Sequence, residues 1–283
     1  MKLRERETIF GKLNPFEGKV VGISGGGHGI GKTTVLEILR LGGKVATFTL
    51  REDEVRLLQE HAAGYGENLL VRQGDAADGE FAKEFMQEVE EKFGRLDGWV
   101  NNALVNLLRP FEDETEEEYR RALEVNLVAP FLWAKLVVPF LEKTQGAMVN
   151  MSSIMARLTV GKNITYTSHK AGIEGWTRGM AVELAPKGIR VNAVAPGMII
   201  TSYHYLQDGY SEEQKNDPEI IAQKAMYQKL GDTYQPWPTA GMAIDIAETI
   251  LFLLSDSAWF ITGQVVTVDG GRTASIKANN IDY

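Results

Sequence analysis

Residues Ser24 to Thr34, Ser-Gly-Gly-Gly-His-Gly-Ile-Gly-Lys-Thr-Thr, place five glycines in the seven positions from Gly25 to Gly31. Lys19 to Ile23 before them is a short apolar run of strand type, and Ile30 to Leu41 after them carries apolar residues at helical spacing. Strand, glycine turn and helix in that order aim backbone N–H groups and a helix N-terminus at an anionic phosphate. A tight turn needing positive φ accounts for one or two glycines, but not for five. The loop therefore predicts a nucleotide-phosphate site, and it satisfies two signatures at once. From Gly25 it reads Gly-x-x-x-Gly-x-Gly, a spaced relative of the dinucleotide fingerprint. From Gly26 it reads Gly-x-x-x-x-Gly-Lys-Thr, the nucleoside-triphosphate P-loop. One reading predicts a nicotinamide enzyme and the other a phosphotransferase, so the rest of the chain must decide.

Strand-like runs recur at Val20–Ser24, Lys44–Leu50, Asn68–Gly74, Asp97–Asn101, Ala147–Ser152, Arg190–Ala195 and Gln264–Asp269. Helical patterns fall between them near 30–41, 52–63, 79–93, 115–142, 166–186 and 243–255. Short buried strands alternating with helices predict a parallel sheet covered on both faces. The right-handed crossover rule makes this one α/β, Rossmann-type, doubly wound domain of about seven parallel strands. We read residues 18–273 as that domain, 1–17 as an N-terminal extension and 274–283 as a C-terminal tail. The one long departure, 198–238, reads as a substrate lid at the carboxyl ends of the strands.

The net charge of −8 and the sequence pI near 5.2 argue against nucleic acid or an anionic membrane as partner. There is no cysteine, which excludes thiolate chemistry and cysteine metal sites, and the four histidines show no metal-ligand spacing. The mixed-charge N-terminus is not of signal-peptide type, and no apolar run approaches the roughly 20 residues of a membrane span. The expectation is a cytoplasmic protein with no membrane, nucleic-acid or metal partner.

The deciding set lies further along. Tyr166 and Lys170 sit at i and i+4 at the start of a helix, and Ser153 stands thirteen residues before Tyr166 at the end of a strand-like run. Asn126 lies within the 115–142 pattern. A phenol near pKa 10 exchanges protons poorly at neutral pH, and a lysine one turn away favours its anion. The serine hydroxyl can bond a substrate oxygen whose charge changes.

With these residues in place, the chain from about 18 to 272 resembles the short-chain dehydrogenase/reductase family. Ser24-Gly25-Gly26-Gly27-His28-Gly29-Ile30-Gly31 is similar to its cofactor loop, with Ser24 where threonine is usual. Asp75, followed by Ala76, stands where the family places an acid beside the adenine. Asn101-Asn102-Ala103 resembles the family's Asn-Asn-Ala-Gly, with Leu104 replacing the glycine. Pro196-Gly197-Met198-Ile199-Ile200-Thr201 resembles the segment that holds the nicotinamide carboxamide, and Val268-Asp269-Gly270-Gly271 its last strand. The resemblance implies Tyr166 as general acid/base, and Lys170 as the residue that lowers its pKa and binds the nicotinamide ribose. It implies Ser153 as carbonyl-orienting and Asn126 as support for a water-linked relay to Lys170. Ser152 is a neighbouring candidate that the thirteen-residue spacing passes over. A side chain at Leu104 cannot take positive φ cheaply, which bears on that turn's backbone.

The expected activity is ketone–secondary alcohol interconversion with a dinucleotide. Thr49 holds the position at the end of the second strand where an acid would select NAD, and Arg51 and His28 point towards NADP, with Glu52 and Asp53 opposing it. Tyr203, His204, Tyr205, Tyr210, Tyr227, Tyr234 and Trp237 in the lid suggest a ring-bearing or bulky substrate. Leu104, Ile154, Met155, Asn163 and Met198 are further candidates to line its pocket. A homodimer or homotetramer is implied by the resemblance. The rival readings are a P-loop phosphotransferase using Lys32 and Asp97, a non-catalytic cofactor sensor, and an enoyl reductase. The last is disfavoured because the family's enoyl reductases usually place six residues, not three, between tyrosine and lysine.

Overall fold

The computed structural model describes residues 15–201 and 235–275. Seven parallel strands form one sheet: β1 (Val20–Ser24), β2 (Lys44–Thr49), β3 (Leu69–Gln73), β4 (Gly98–Asn101), β5 (Ala147–Met151), β6 (Arg190–Pro196) and β9 (Val265–Val268). Their order across the sheet is β3-β2-β1-β4-β5-β6-β9. The chain winds outward one way through β1, β2 and β3, then crosses back to β4 on the other side of β1. That reversal leaves a crevice beyond the carboxyl ends of β1 and β4, where doubly wound sheets bind their ligands.

The strands are where the apolar runs predicted them because both faces of the sheet are covered. Every residue of β1, β4, β5 and β6 is buried. On one face, α1 (Gly29–Arg40) and α7 (Ala243–Leu254) close over Val21, Ile23, Val100 and Val149. On the other, α3 (Gly79–Phe93), α5 (Ala129–Thr144) and α6 (Ile164–Leu184) cover an aromatic core. There the Trp133 ring stacks between Phe48 at 4.7 Å and Trp99 at 4.8 Å. Gly22 makes room for this stack, since a Cβ there would come within 2.3 Å of the Trp99 ring.

Three features depart from expectation. The helix predicted over 115–142 is two helices, α4 (Glu116–Leu123) and α5, joined by a π turn at Glu124–Val128. Thr115 and Glu118 form a reciprocal capping box at the start of α4, which explains its well-defined beginning. Two short strands, β7 (Ile199–Ile200) and β8 (Gly241–Met242), pair in parallel. The α4–α5 stretch, Glu116–Thr144, also holds an 18-residue window of mean hydropathy 1.5, enough for a membrane span by length and composition. Its Trp133, Val137 and Leu141 are buried in the aromatic core, while Val128 and Phe131 are exposed. The lid tyrosines and His204, residues 1–14 and 276–283 lie outside the described residues. The remaining helix is α2 (Glu52–His61).

Candidate active site

The glycine loop turns straight off the end of β1 and is held from both sides. Gly25 and Gly26 donate their N–H groups to Phe48 O at 2.9 and 3.2 Å. Ser24 Oγ accepts from Asn102 N at 2.9 Å and Ala103 N at 3.1 Å, and Asn102 Nδ2 donates to Gly25 O at 2.8 Å. These bonds tie the carboxyl ends of β1 and β4 together beneath the crevice. Gly25 and Gly29 take φ of +71° and +54°, the left-handed region. At Gly31 the constraint is space, because a Cβ would lie 2.3 Å from Gly25 O and 2.6 Å from Asn102 Nδ2. His28 precedes α1, whose first residues are Gly29 and Ile30.

Beside this loop lies a cavity of about 420 Å³. Gly25, His28, Gly29, Ile30, Thr49 and Arg51 line it, as do Asp75, Ala76, Asn102, Ala103, Leu104 and Thr201. A close-packed glycine turn opening on a helix N-terminus at one wall fits a dinucleotide's pyrophosphate. Leu104 is not among the non-glycine residues at positive φ, so its side chain meets no backbone penalty and forms part of the wall. Gly197 packs on Asp269, where a Cβ would fall 2.7 Å from its Cα, and its N–H bonds Val268 O at 2.9 Å. Pro196 ends β6 and Ile199 begins β7. Together they carry Thr201 round to Gly29, where a Cβ would be 3.2 Å from that of Thr201.

Two charged groups in this wall escaped the sequence reading. Arg121 of α4 pairs with Asp75 at 2.6 Å, while Asp75 Oδ1 accepts from Ala77 N at 3.0 Å. Glu54, one turn into α2, hydrogen-bonds Thr49 Oγ1 and lines the cavity. Arg51, expected to face a 2′-phosphate, is instead bound to Asp53, with Nε 3.0 Å from Oδ1, and its side chain is 66% exposed. A carboxylate thus occupies the second-strand end after all. It comes from the helix rather than from the strand, so strand-end inspection misses it.

Ser153, Tyr166 and Lys170 do not line that cavity. Ser153, just past β5, caps a short 3₁₀ turn by accepting Met155 N at 3.2 Å, and its hydroxyl lies close enough to the Tyr166 phenol to favour the anion. Ser152 turns the other way, to Glu174 at 3.2 Å, as expected for adjacent residues on an extended chain. Burial pushes the Tyr166 phenol above its ordinary value, and the Ser153 hydroxyl pulls it back. Burial pushes the Lys170 amine down to about 8. The Lys170 amine bonds Met151 O at 2.6 Å and sits 5.5 Å from the Tyr166 ring centre.

Asn126 stands in the π turn and faces two ways. Its amide clamps Val105, accepting from the N–H at 2.8 Å and donating to the C=O at 2.7 Å, and also reaches His169 Nδ1 at 3.3 Å. Asn163 closes the start of α6, and Ile154 is buried in the 3₁₀ turn.

The triphosphate reading finds no support in this geometry. Lys32 is 1% exposed and lies under the loop, where Glu54 and Glu60 act on its amine, rather than in the cavity wall. Asp97 lies before β4, at the opposite end of the sheet from the glycine loop, bonded to Val20 N and Arg95.

Fold and crevice together define a dinucleotide-type Rossmann protein with a serine–tyrosine–lysine group beside its cofactor cleft. The family model described as Enoyl-(Acyl carrier protein) reductase matches residues 25–273. A Thermotoga maritima protein described as an uncharacterized oxidoreductase is 34% identical over 263 residues, 92% of this chain and 99% of that one. The 3-oxoacyl-[acyl-carrier-protein] reductase FabG of the same organism is 33% identical, covering 90% of this chain and 98% of that one. The crystal structure of levodione reductase superimposes with a TM-score of 0.78 at 29% identity, over 92% of this chain and 99% of that one. The chain belongs to the short-chain dehydrogenase/reductase family, whose members use NAD(P). It is an oxidoreductase of the class acting on CH–OH and C=O groups.

Proposed function

We propose that this chain interconverts a ketone and a secondary alcohol, with Tyr166 exchanging the proton at the substrate oxygen. What supports the reading is the placement of Ser153 just past β5, where its hydroxyl acts on the Tyr166 phenol, with Lys170 one turn further along α6 and 5.5 Å from the Tyr166 ring centre. Ser153 Oγ presents a donor to the same substrate oxygen and favours the phenolate between turnovers. Lys170, anchored on Met151 O, keeps a mostly protonated amine beside the ring at neutral pH and offers it to the nicotinamide ribose. Bound nicotinamide supplies or takes the hydride. Gly25, Gly29, Gly31, Asn102 and Thr201 hold the dinucleotide, and Asp75 and Ala76 flank its adenine.

For the cofactor we take NAD, against the NADP expected from Arg51 and His28. A carboxylate at Glu54 suits the two ribose hydroxyls and repels a 2′-phosphate. Arg51 is on the cavity wall but is paired with Asp53 and turned to solvent, so the Glu54 carboxylate at the end of β2 carries the reading. The substrate remains read as ring-bearing or bulky, on the aromatic content of the lid. Exposed Val128 at the end of the π turn, Phe131 on α5 and Val182 on α6 support the homodimer or homotetramer reading.

The test is a panel of ketones and alcohols assayed with NADH and NADPH, with Tyr166→Phe as control. The expected result is faster turnover with NADH and a loss in Tyr166→Phe of roughly a thousandfold. In Glu54→Gln the NADPH-to-NADH ratio should rise about tenfold. Unchanged turnover in Tyr166→Phe refutes the proton role, and a native preference for NADPH refutes the Glu54 assignment.

A further inference from the structure

The dinucleotide cavity and the Ser153–Tyr166–Lys170 group are joined by one chain of contacts: Val105, Asn126 and His169. Val105 lines the cavity, and His169 immediately precedes Lys170 on α6. Asn126 bonds both, and is 3% exposed. The direction of each bond follows from the backbone. Asn126 Oδ1 must accept from Val105 N–H, and Nδ2 must donate to Val105 C=O; flipping the amide opposes two donors and two acceptors. The second Nδ2 hydrogen then points at His169 Nδ1, which has to be an acceptor. The imidazole in this arrangement is neutral, with its proton on Nε2.

We propose that His169 is a positioning residue for dinucleotide binding. As a neutral imidazole it locks Asn126, and Asn126 in turn holds Val105 and the cavity wall after β4. This deepens the dehydrogenase reading and rests on it. Protonating His169 places an N–H against the Asn126 amide N–H. The contact then breaks, or Asn126 flips and surrenders both bonds to Val105. Either way the wall loosens, so dinucleotide affinity falls on the acid side.

The groups facing His169 fix the sign of its titration. Glu114, from the segment ahead of α4, favours its cation, and Lys170 on its own helix opposes it. The Tyr119 ring of α4 lies 5.4 Å away, and Tyr166 is one turn earlier on α6. His169 is 2% exposed, and its Nε2 and one Glu114 oxygen, Oε1, are buried without a hydrogen bond. Burial is the largest influence and holds the imidazole below its ordinary value. The clamp is therefore intact at neutral pH and opens only as pH falls below about 6.5.

The experiment measures equilibrium binding of NADH and NADPH to the full chain by nicotinamide fluorescence from about pH 5 to pH 8. It compares the native protein with His169→Asn, His169→Phe, Glu114→Gln and Tyr166→Phe. An asparagine oxygen replaces Nδ1 as acceptor but does not titrate. Native protein and Tyr166→Phe should lose affinity by at least about threefold on the acid side. His169→Asn should match native affinity near neutral pH within about twofold and stay flat in acid. His169→Phe should bind about tenfold more weakly throughout. Glu114→Gln should move the acid limb to lower pH, because it removes the charge that favours the cation. A flat native profile, an acid limb that survives in His169→Asn, or an upward shift in Glu114→Gln overturns the clamp while leaving the enzyme reading intact. Failure of the native protein to bind either dinucleotide near neutral pH overturns both.

Discussion

Replacing Ser24 by alanine tests whether one hydroxyl ties the two central strands together under the cofactor crevice. Ser24 Oγ accepts from two backbone donors, Asn102 N at 2.9 Å and Ala103 N at 3.1 Å, and lies 3.4 Å from Val100 O. Ser24 is 3% exposed, so water does not readily take its place. Each N–H left unsatisfied costs about 1–3 kcal/mol, and partial exposure of Asn102 and Ala103 argues for the lower end. Ser24→Ala is therefore expected to destabilise the chain by about 2–4 kcal/mol, a fall in Tm of about 3–7 °C for a protein of this size. The assay is urea and thermal unfolding at one fixed protein concentration, so that any oligomer contributes equally. Dinucleotide affinity should fall with stability, because the same hydroxyl positions Asn102, whose side chain holds Gly25 O. Ser24→Thr keeps the oxygen and should lie within about 1 kcal/mol of native. A Ser24→Ala protein within about 0.5 kcal/mol of native, with unchanged dinucleotide affinity, would refute the reasoning.

Ser153→Ala removes the hydroxyl that pulls the Tyr166 phenol down. Turnover should fall about 10- to 100-fold, and the limb of the pH–rate profile set by Tyr166 should move to higher pH; a limb that stays put refutes the assignment. Gly31→Ala drives a Cβ into Gly25 O and Asn102 Nδ2, so dinucleotide affinity should drop at least tenfold, read by fluorescence titration. Lys170, held at about 8 against an ordinary value near 10.4, binds its proton less well folded than unfolded. Its contribution to stability therefore rises with pH between those values and is lost as pH falls through about 8. The stability gap between native protein and Lys170→Met should change by on the order of 1–3 kcal/mol between about pH 7.5 and pH 9.5, in the native protein's favour at the higher pH, by urea unfolding.

The sheet was legible because its signals are local. β1 reads Val-Val-Gly-Ile-Ser and is buried throughout, as a central parallel strand covered on both faces must be. The glycine loop and the Tyr166–Lys170 spacing were legible for the same reason, since one turn of helix brings i and i+4 onto one face. The π turn was not. A single extra residue per turn leaves the apolar pattern of 115–142 nearly unchanged, yet it decides where Asn126 points.

Order along the chain was enough to place a doubly wound sheet, a glycine turn between β1 and α1, and Ser153 near the start of the helix that carries Tyr166 and Lys170, because each rests on periodicity or on short covalent spacing. Which side chains face that turn depended on packing between elements distant in sequence. Lys32 completes a P-loop on paper, but the approach of α2 leaves it buried beneath the loop with Glu54 and Glu60 acting on it. Glu54 supplies the carboxylate missing from the end of β2 only because α2 folds back across Thr49. His169 reads as a spacer between Tyr166 and Lys170 until α4 and the π turn close around it. A residue's identity is local, but the direction of its side chain is set by how one element seats on the next.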